Sequence, residues 1–153
     1  MSFQRLLSEG RMRPHRTSAK EVAELLEVAD RDLADAAVLQ LSADRRFATG
    51  YNAALALATI ALHAGGYRAT GVGHHWVTYQ ALSDIMGPEQ QARQDYFDHC
   101  RGRRNTADYD RAGVVAESEV RELLAEVTAF RREVLDWLRA EHPTLLPTGD
   151  SAR

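Results

Sequence analysis

The sequence predicts an all-α fold, an up-and-down antiparallel bundle of about four main helices plus one shorter one. Three observations carry this. Apolar residues recur three and four positions apart over several long segments, the spacing of one helix face. Helix starts and stops are punctuated by Ser18, Ser42, Gly65-Gly66 and Gly87-Pro88. No stretch of useful length alternates with the period of a strand, and no internal repeat is present. Short connections between long helices favour antiparallel neighbours.

Taken in order, residues 1–17 are polar and irregular, with Gly10 and Pro14 inside, and read as a loosely attached arm with one helical turn at Phe3 to Leu7. Ser18-Ala19-Lys20-Glu21 has the spacing of a capping box, in which the serine oxygen takes one free amide and the glutamate reaches back to another. Val22, Leu25, Leu26, Ala29, Leu33, Ala36 and Leu39 then mark a helix over about 19–40. Ser42 and Asp44 can cap a second, about 43–64, rich in alanine and therefore suited to close packing. Gly65-Gly66 ends it, because glycine tolerates the left-handed cap.

A third helix is expected over about 74–86, stopped by Gly87. Pro88 suits the first turn of a fourth, where its missing amide is not needed; this helix runs to near Tyr109 and is broken by Gly113. The fifth, about 116–141, carries Val120, Leu123, Val127, Phe130, Val134 and Leu138 on one stripe. The expected organisation is an arm at 1–17, a bundle at 18–141 and a frayed tail at 142–153.

Composition bounds the class. A chain of 153 residues, 44% hydrophobic, has material for one core, and at this length a domain buries roughly 70% of the surface its unfolded chain exposes. The net charge of −3 does not by itself point to nucleic acid. Arginines cluster, however, at Arg11, Arg13 and Arg16 around His15, and again at Arg101, Arg103 and Arg104. Such patches can hold phosphate even on an acidic protein; the bland alternative is a solvated face. Cys100 is the only cysteine, which excludes an intrachain disulfide and fits a reducing, cytoplasmic compartment. No apolar run is long enough to span a membrane, and residues 1–16 do not read as a signal peptide.

The densest polar stretch runs from Arg101 to Asp110. On a helix, Arg101, Arg104, Asn105 and Asp108 share one face. Spacing alone favours an ordinary Arg104–Asp108 pair, worth about 0.3–0.5 kcal/mol on a solvated surface. Asn52, a polar residue within the most apolar helix, is expected to be buried and hydrogen-bonded to a neighbouring helix, or, in the functional reading, to orient Arg104 or line the same groove. His74 and His75 open the third helix, where capping or surface hydrogen bonding is the plain reading and proximity to Arg104 the functional one. His63, His74, His75, His99 and Cys100 have no recognised zinc-ligand spacing, so no metal and no cofactor is expected.

Several stretches together resemble the HEPN superfamily of helical bundles: Arg46-Phe47-Ala48-Thr49-Gly50-Tyr51-Asn52-Ala53-Ala54, Gly66-Tyr67-Arg68, His74-His75, and Arg104-Asn105 with Asp108-Tyr109. The likeness covers roughly 18–138. It implies a dimer with facing motif helices, binding to RNA or a nucleotide, and a relation to toxin and defence ribonucleases. In active members of that superfamily an arginine stabilises phosphate charge and a histidine assists proton transfer, which implies those roles for Arg104, with Asn105, and for the position of Tyr109. Arginine fits the first task through its fixed charge and planar fork. Tyrosine, with an ordinary pKa near 10, is a poor base at neutral pH, so the resemblance implies weak or absent cleavage with binding retained. Arg101, Arg103, Asp108, Asn52, His74 and His75 complete the expected RNA-binding set. The competing implication is a non-enzymatic dimeric module, such as the partner of a minimal nucleotidyltransferase or of an antitoxin.

Overall fold

Four long helices carry the fold, because only they present apolar stripes long enough to cover one another. The computed structural model describes residues 2–106 and 112–147. In chain order the elements are α1 (Phe3–Ser8), β1 (Met12–Pro14), α2 (Ala19–Ala36), α3 (Ala43–Ala64), β2 (Tyr67–Ala69), α4 (His74–Gln80), α5 (Leu82–Met86), α6 (Gln91–Asn105) and α7 (Glu117–Glu141). A 3₁₀ turn at Pro88–Gln90 leads into α6, and another at Pro143–Leu145 follows α7.

Side-chain bridges fix the helix directions. His63 at the end of α3 meets Glu21 at the start of α2, with Nδ1 2.8 Å from Oε1, so α2 and α3 run antiparallel. Arg46 at the start of α3 meets Glu117 at the start of α7 at 2.6 Å, so these two run the same way. Along α6 and α7, Arg93 pairs with Glu133 and Arg103 with Glu119, an antiparallel register. The long helices α2, α3, α6 and α7 therefore alternate in direction, and short α4 and α5 carry the chain from α3 to α6. This is the expected all-α bundle.

The core lies mainly around α3, whose alanines let its neighbours approach. Thirteen of its residues are buried. Gly50 faces α7, and a methyl group there would meet Leu124 Cδ2 at 2.9 Å, so glycine sets the closeness of that crossing. From α3 to α7 runs an aromatic row, Tyr51, Tyr79, Phe97 and Phe130, with successive ring centroids 6.0, 5.7 and 5.3 Å apart. Arg46 is buried too. Its Nε donates to the Ala36 carbonyl at 2.8 Å, satisfying one of the free acceptors at the C-terminus of α2.

Local chemistry explains the boundaries. Ser18 and Ser42 each accept the amide three residues on, from Glu21 and Arg45. Gly66, at φ +98°, takes the positive-φ backbone after α3 that a side chain would resist. The first helix ends at Ala36, short of the expected 40; residues 37–40 are exposed and have no core face to gain by staying helical. The expected third helix is divided into α4 and α5 at Ala81.

Two expectations about the ends need correction. The arm is docked: Leu6 and Met12 are buried, and β1 pairs antiparallel with β2 in the register Met12–Ala69, Arg13–Arg68, Pro14–Tyr67. The reason is a second apolar cluster of Leu6, Met12, Leu62, Val77 and Ala81, which needs the arm to close it. The tail is likewise held as far as Pro147, with Leu145 and Leu146 packed against the main core. No helix among the described residues is long and apolar enough to cross a membrane.

Candidate functional site

The last turns of α6 and the first turn of α4 are far apart in sequence but meet in space. Between them lies a cleft of about 240 Å³, walled by Arg101, Arg104 and Asn105 from α6 and by Gly73, His74, His75 and Trp76 from the start of α4. The placement follows from packing. The α4 side chains Val77 and Tyr79 are buried, which leaves His74 and His75, one turn earlier, at the rim. On α6, Phe97 and Cys100 face the core, and Arg101 and Arg104, four and seven positions on from Phe97, continue that face into the cleft.

Arg104 is the centre of this arrangement. Its guanidinium carbon sits 5.6 Å from the ring centroid of Tyr51, within the range of cation–π attraction. Arg104 also lines a second cleft, of about 450 Å³, formed with Ser42, Asp44, Arg45, Ala48, Thr49 and Asn52 of the α3 start. One arginine thus forms part of the walls of two adjoining clefts.

Beneath Arg104, the Tyr51 hydroxyl lies 3.1 Å from His75 Nδ1. Burial pushes the Tyr51 phenol up to about 12, and the Arg104 and Arg101 charges only partly offset it. Burial holds the His75 imidazole down at about 4, with the charges of His74, Arg104 and Arg101 adding to the effect. At neutral pH both groups are therefore uncharged and share one hydrogen bond. His75 is then a poor proton acceptor.

Arg101 keeps one contact within its own helix, Nε to Asp98 Oδ1 at 2.9 Å. Trp76 brings an aromatic face to the rim, and the guanidinium carbon of Arg11 lies 4.8 Å from its ring centroid. The docked arm thus adds a further cation beside the cleft. Sequence reasoning missed Trp76, Tyr51 and the arm's approach. The basic character of residues 11–16 was the available signal for Arg11, and the neighbouring histidines were the signal for Trp76.

The other expected site residues fall in different places. Arg103 points away from this cleft and clamps α6 to α7, with Nε and Nη2 on the two Glu119 oxygens at 2.8 and 2.9 Å and Nη2 also on the Val114 carbonyl. That bidentate pairing raises the arginine and holds Glu119 down at about 2. Asn52 is exposed, which corrects the expectation of a buried, hydrogen-bonded amide. It continues the outward stripe of Arg45, Ala48 and Thr49, three, four and seven positions apart, and lines the second cleft with Arg104. Asp108 and Tyr109 lie outside the described residues. C-terminal to them, Asp44 accepts the amides of Gly113 and Val115 at 2.5 and 3.1 Å.

No family model, no curated protein and no solved structure matches the chain. The chemistry of the clefts is therefore the ground for a functional reading. Two arginines bring fixed positive charge, a neutral histidine brings a hydrogen-bonding ring, and Trp76 brings a stacking face. That combination suits a phosphate attached to an aromatic base.

Proposed function

We propose that this chain binds single-stranded RNA or a nucleotide in the cleft between α4 and α6, as a HEPN-like domain with weak or absent ribonuclease activity. The observation that carries the reading is the convergence of Arg101 and Arg104 with His74, His75 and Trp76 on one cleft. Arg104, and behind it Arg101, engage phosphate; Trp76 and the histidine rings stack on or hydrogen-bond to the base. Asn105 lines the same wall, and Asn52 extends it along the second cleft. Arg103 serves the fold rather than the ligand, since Glu119 already occupies its fork.

The weak-cleavage part rests on two groups. Tyr109 stands where the resemblance implies a histidine, and a phenol of ordinary pKa near 10 is a poor base at neutral pH. His75, on the same cleft wall as His74, is neutral and hydrogen-bonded to Tyr51 through Nδ1, so it does not replace the missing base. General acid–base assistance typically contributes about 10²–10⁴-fold, and its loss spares binding. In this proposal the chain acts as a homodimer, with two α6 helices facing across a composite groove.

The test is binding of a fluorescent single-stranded RNA to the wild type and to Arg101→Ala and Arg104→Ala, with cleavage followed in parallel. Tight wild-type binding at low salt, weakened in both variants, supports the proposal. A rival reading makes this face a contact for a protein partner, such as a nucleotidyltransferase or an antitoxin. It is favoured by Val72, 98% exposed immediately before Gly73 at the cleft edge. Absence of RNA binding at low salt together with a stable dimer would select it.

A further inference from the structure

Far from the cleft, three segments of chain meet at one carboxylate. His15 on the arm places Nε2 2.7 Å from Glu21 Oε1, and His63 on the last turn of α3 places Nδ1 2.8 Å from the same oxygen. The Thr17 hydroxyl donates to it as well, at 2.7 Å. The two imidazole rings lie 4.3 Å apart between centroids, and one ligand atom from each of His15, Glu21 and His63 lies within 4.8 Å of the others. Along α3, His63 is about 18 Å from Tyr51 at 1.5 Å per residue, so this cluster is separate from the arginine cleft.

Glu21 occupies the capping-box position, and Ser18 does accept its amide. Its carboxylate, however, is drawn away from the helix end to the two histidines and Thr17, so the expected reciprocal cap is not what the side chain does. Two imidazole nitrogens and a carboxylate oxygen converging from three segments are a ligand set used by zinc and similar cations.

We propose that His15 Nε2, His63 Nδ1 and the Glu21 carboxylate form a divalent transition-metal site, of the zinc class, that clamps the arm onto the start of α2 and the end of α3. In a tetrahedral zinc site ligand atoms stand about 3.3 Å apart, given metal–ligand distances near 2.0–2.2 Å. The two nitrogen–oxygen separations therefore need to open by only a fraction of an ångström. Imidazole ligates through a ring-nitrogen lone pair, so His15 Nε2 and His63 Nδ1 carry no proton in the metal-bound state. Opposing the cation is the Arg68 charge, which also bears on His63. A water or the Thr17 hydroxyl completes the coordination.

The experiment is calorimetric titration of the tag-free, chelator-stripped full chain with Zn²⁺ alone, followed by thermal unfolding and amide exchange. The expected result is one equivalent bound per chain, a raised Tm, and slower exchange of the His15 amide, which donates to the Gly66 carbonyl. His15→Gln and Glu21→Gln should each weaken binding by roughly tenfold or more, the lower end of what perturbing a metal site costs. His15 lies on the arm, so His15→Gln tests the site even if His63→Gln fails to fold. The double variant His74→Gln/His75→Gln should keep the full affinity. Absence of binding at micromolar Zn²⁺, binding retained in both His15→Gln and Glu21→Gln, or binding lost only with His74 and His75, would overturn the proposal.

Discussion

Arg104 lies over the face of Tyr51, 5.6 Å from guanidinium carbon to ring centroid, and the hydroxyl of that same ring reaches His75 Nδ1 at 3.1 Å. One buried aromatic side chain thereby positions both a cation and a histidine of the cleft. Removing the hydroxyl alone separates the two roles. Tyr51→Phe should leave Arg104 seated and RNA binding within about twofold, at a stability cost on the order of 1 kcal/mol for the lost hydrogen bond. Tyr51→Leu should weaken both. Equal binding losses in the two variants would mean that the ring face does not support Arg104.

His75 should titrate near pH 4, observable as the ring carbon shifts in NMR. The folded-state value lies below the ordinary value of 6.5, so the unfolded chain binds the proton more readily. The His75 contribution to stability is therefore fully present above pH 6.5 and declines as pH falls from there toward 4. Tyr51→Phe removes the hydrogen bond at Nδ1 and leaves burial, the larger cause, in place, so the titration should stay well below 6.5. A wild-type His75 titrating at or above 6.5 would contradict the burial described for it.

Arg103 and Glu119 should behave as a structural clamp. Glu119 is held at about 2 against an ordinary 4.5, first by the Arg103 hydrogen bonds. Its stabilising contribution is present above pH 4.5 and is lost as pH falls through the interval down to 2. Glu119→Gln should flatten the acid limb of the stability profile in that window. Arg103→Ala should lower Tm while leaving RNA affinity nearly unchanged, in contrast to Arg104→Ala. A large affinity loss in Arg103→Ala without a fall in Tm would reverse that assignment.

Asn52 is exposed, so Asn52→Ala should change stability by no more than about 0.5 kcal/mol, the usual range for surface positions. Chemical denaturation checks it.

The contrast between Asn52 and its helix shows what was legible in the sequence and why. The long helices were readable from periodicity, and α3 was bounded correctly at 43–64 because Ser42 and Gly65-Gly66 announce themselves locally. Along α3, though, the run of alanines reads as apolar on every side. The outward stripe of Arg45, Thr49 and Asn52 becomes evident only when α2, α6 and α7 occupy the other faces. The arm departs from its expectation for a similar reason: Leu6 and Met12 gain a core from Leu62 of α3, β2 and α4, 50 or more residues later. Glu21 was read as a cap because its competing partners, His15 and His63, come from other segments. Of the cleft, Arg101, Arg104, Asn105, His74 and His75 were visible as residues, but their meeting depends on the path of α4 and α5.

Tyr109→His should raise cleavage of single-stranded RNA, because it supplies an imidazole of ordinary pKa near 6.5 at the position where the HEPN resemblance implies the proton-transfer group. Gel analysis of RNA incubated with wild type, Tyr109→His and Tyr109→His/Arg104→Ala decides it, with cleavage expected only in the single variant. Strong wild-type cleavage that survives Tyr109→Phe would assign proton transfer to another residue, His74 being the exposed imidazole in the cleft.

The central claim is that the α4–α6 cleft binds RNA or nucleotide phosphate through Arg104, and a salt titration of RNA binding tests it most directly. Fluorescence anisotropy with a single-stranded RNA, read from low to physiological salt, should give a linear fall of log affinity with log salt for the wild type. In Arg104→Ala the affinity should drop and the slope become shallower by roughly 0.7, the loss of one phosphate contact on a single strand. Identical affinity and identical slope in the wild type and Arg104→Ala would contradict the claim.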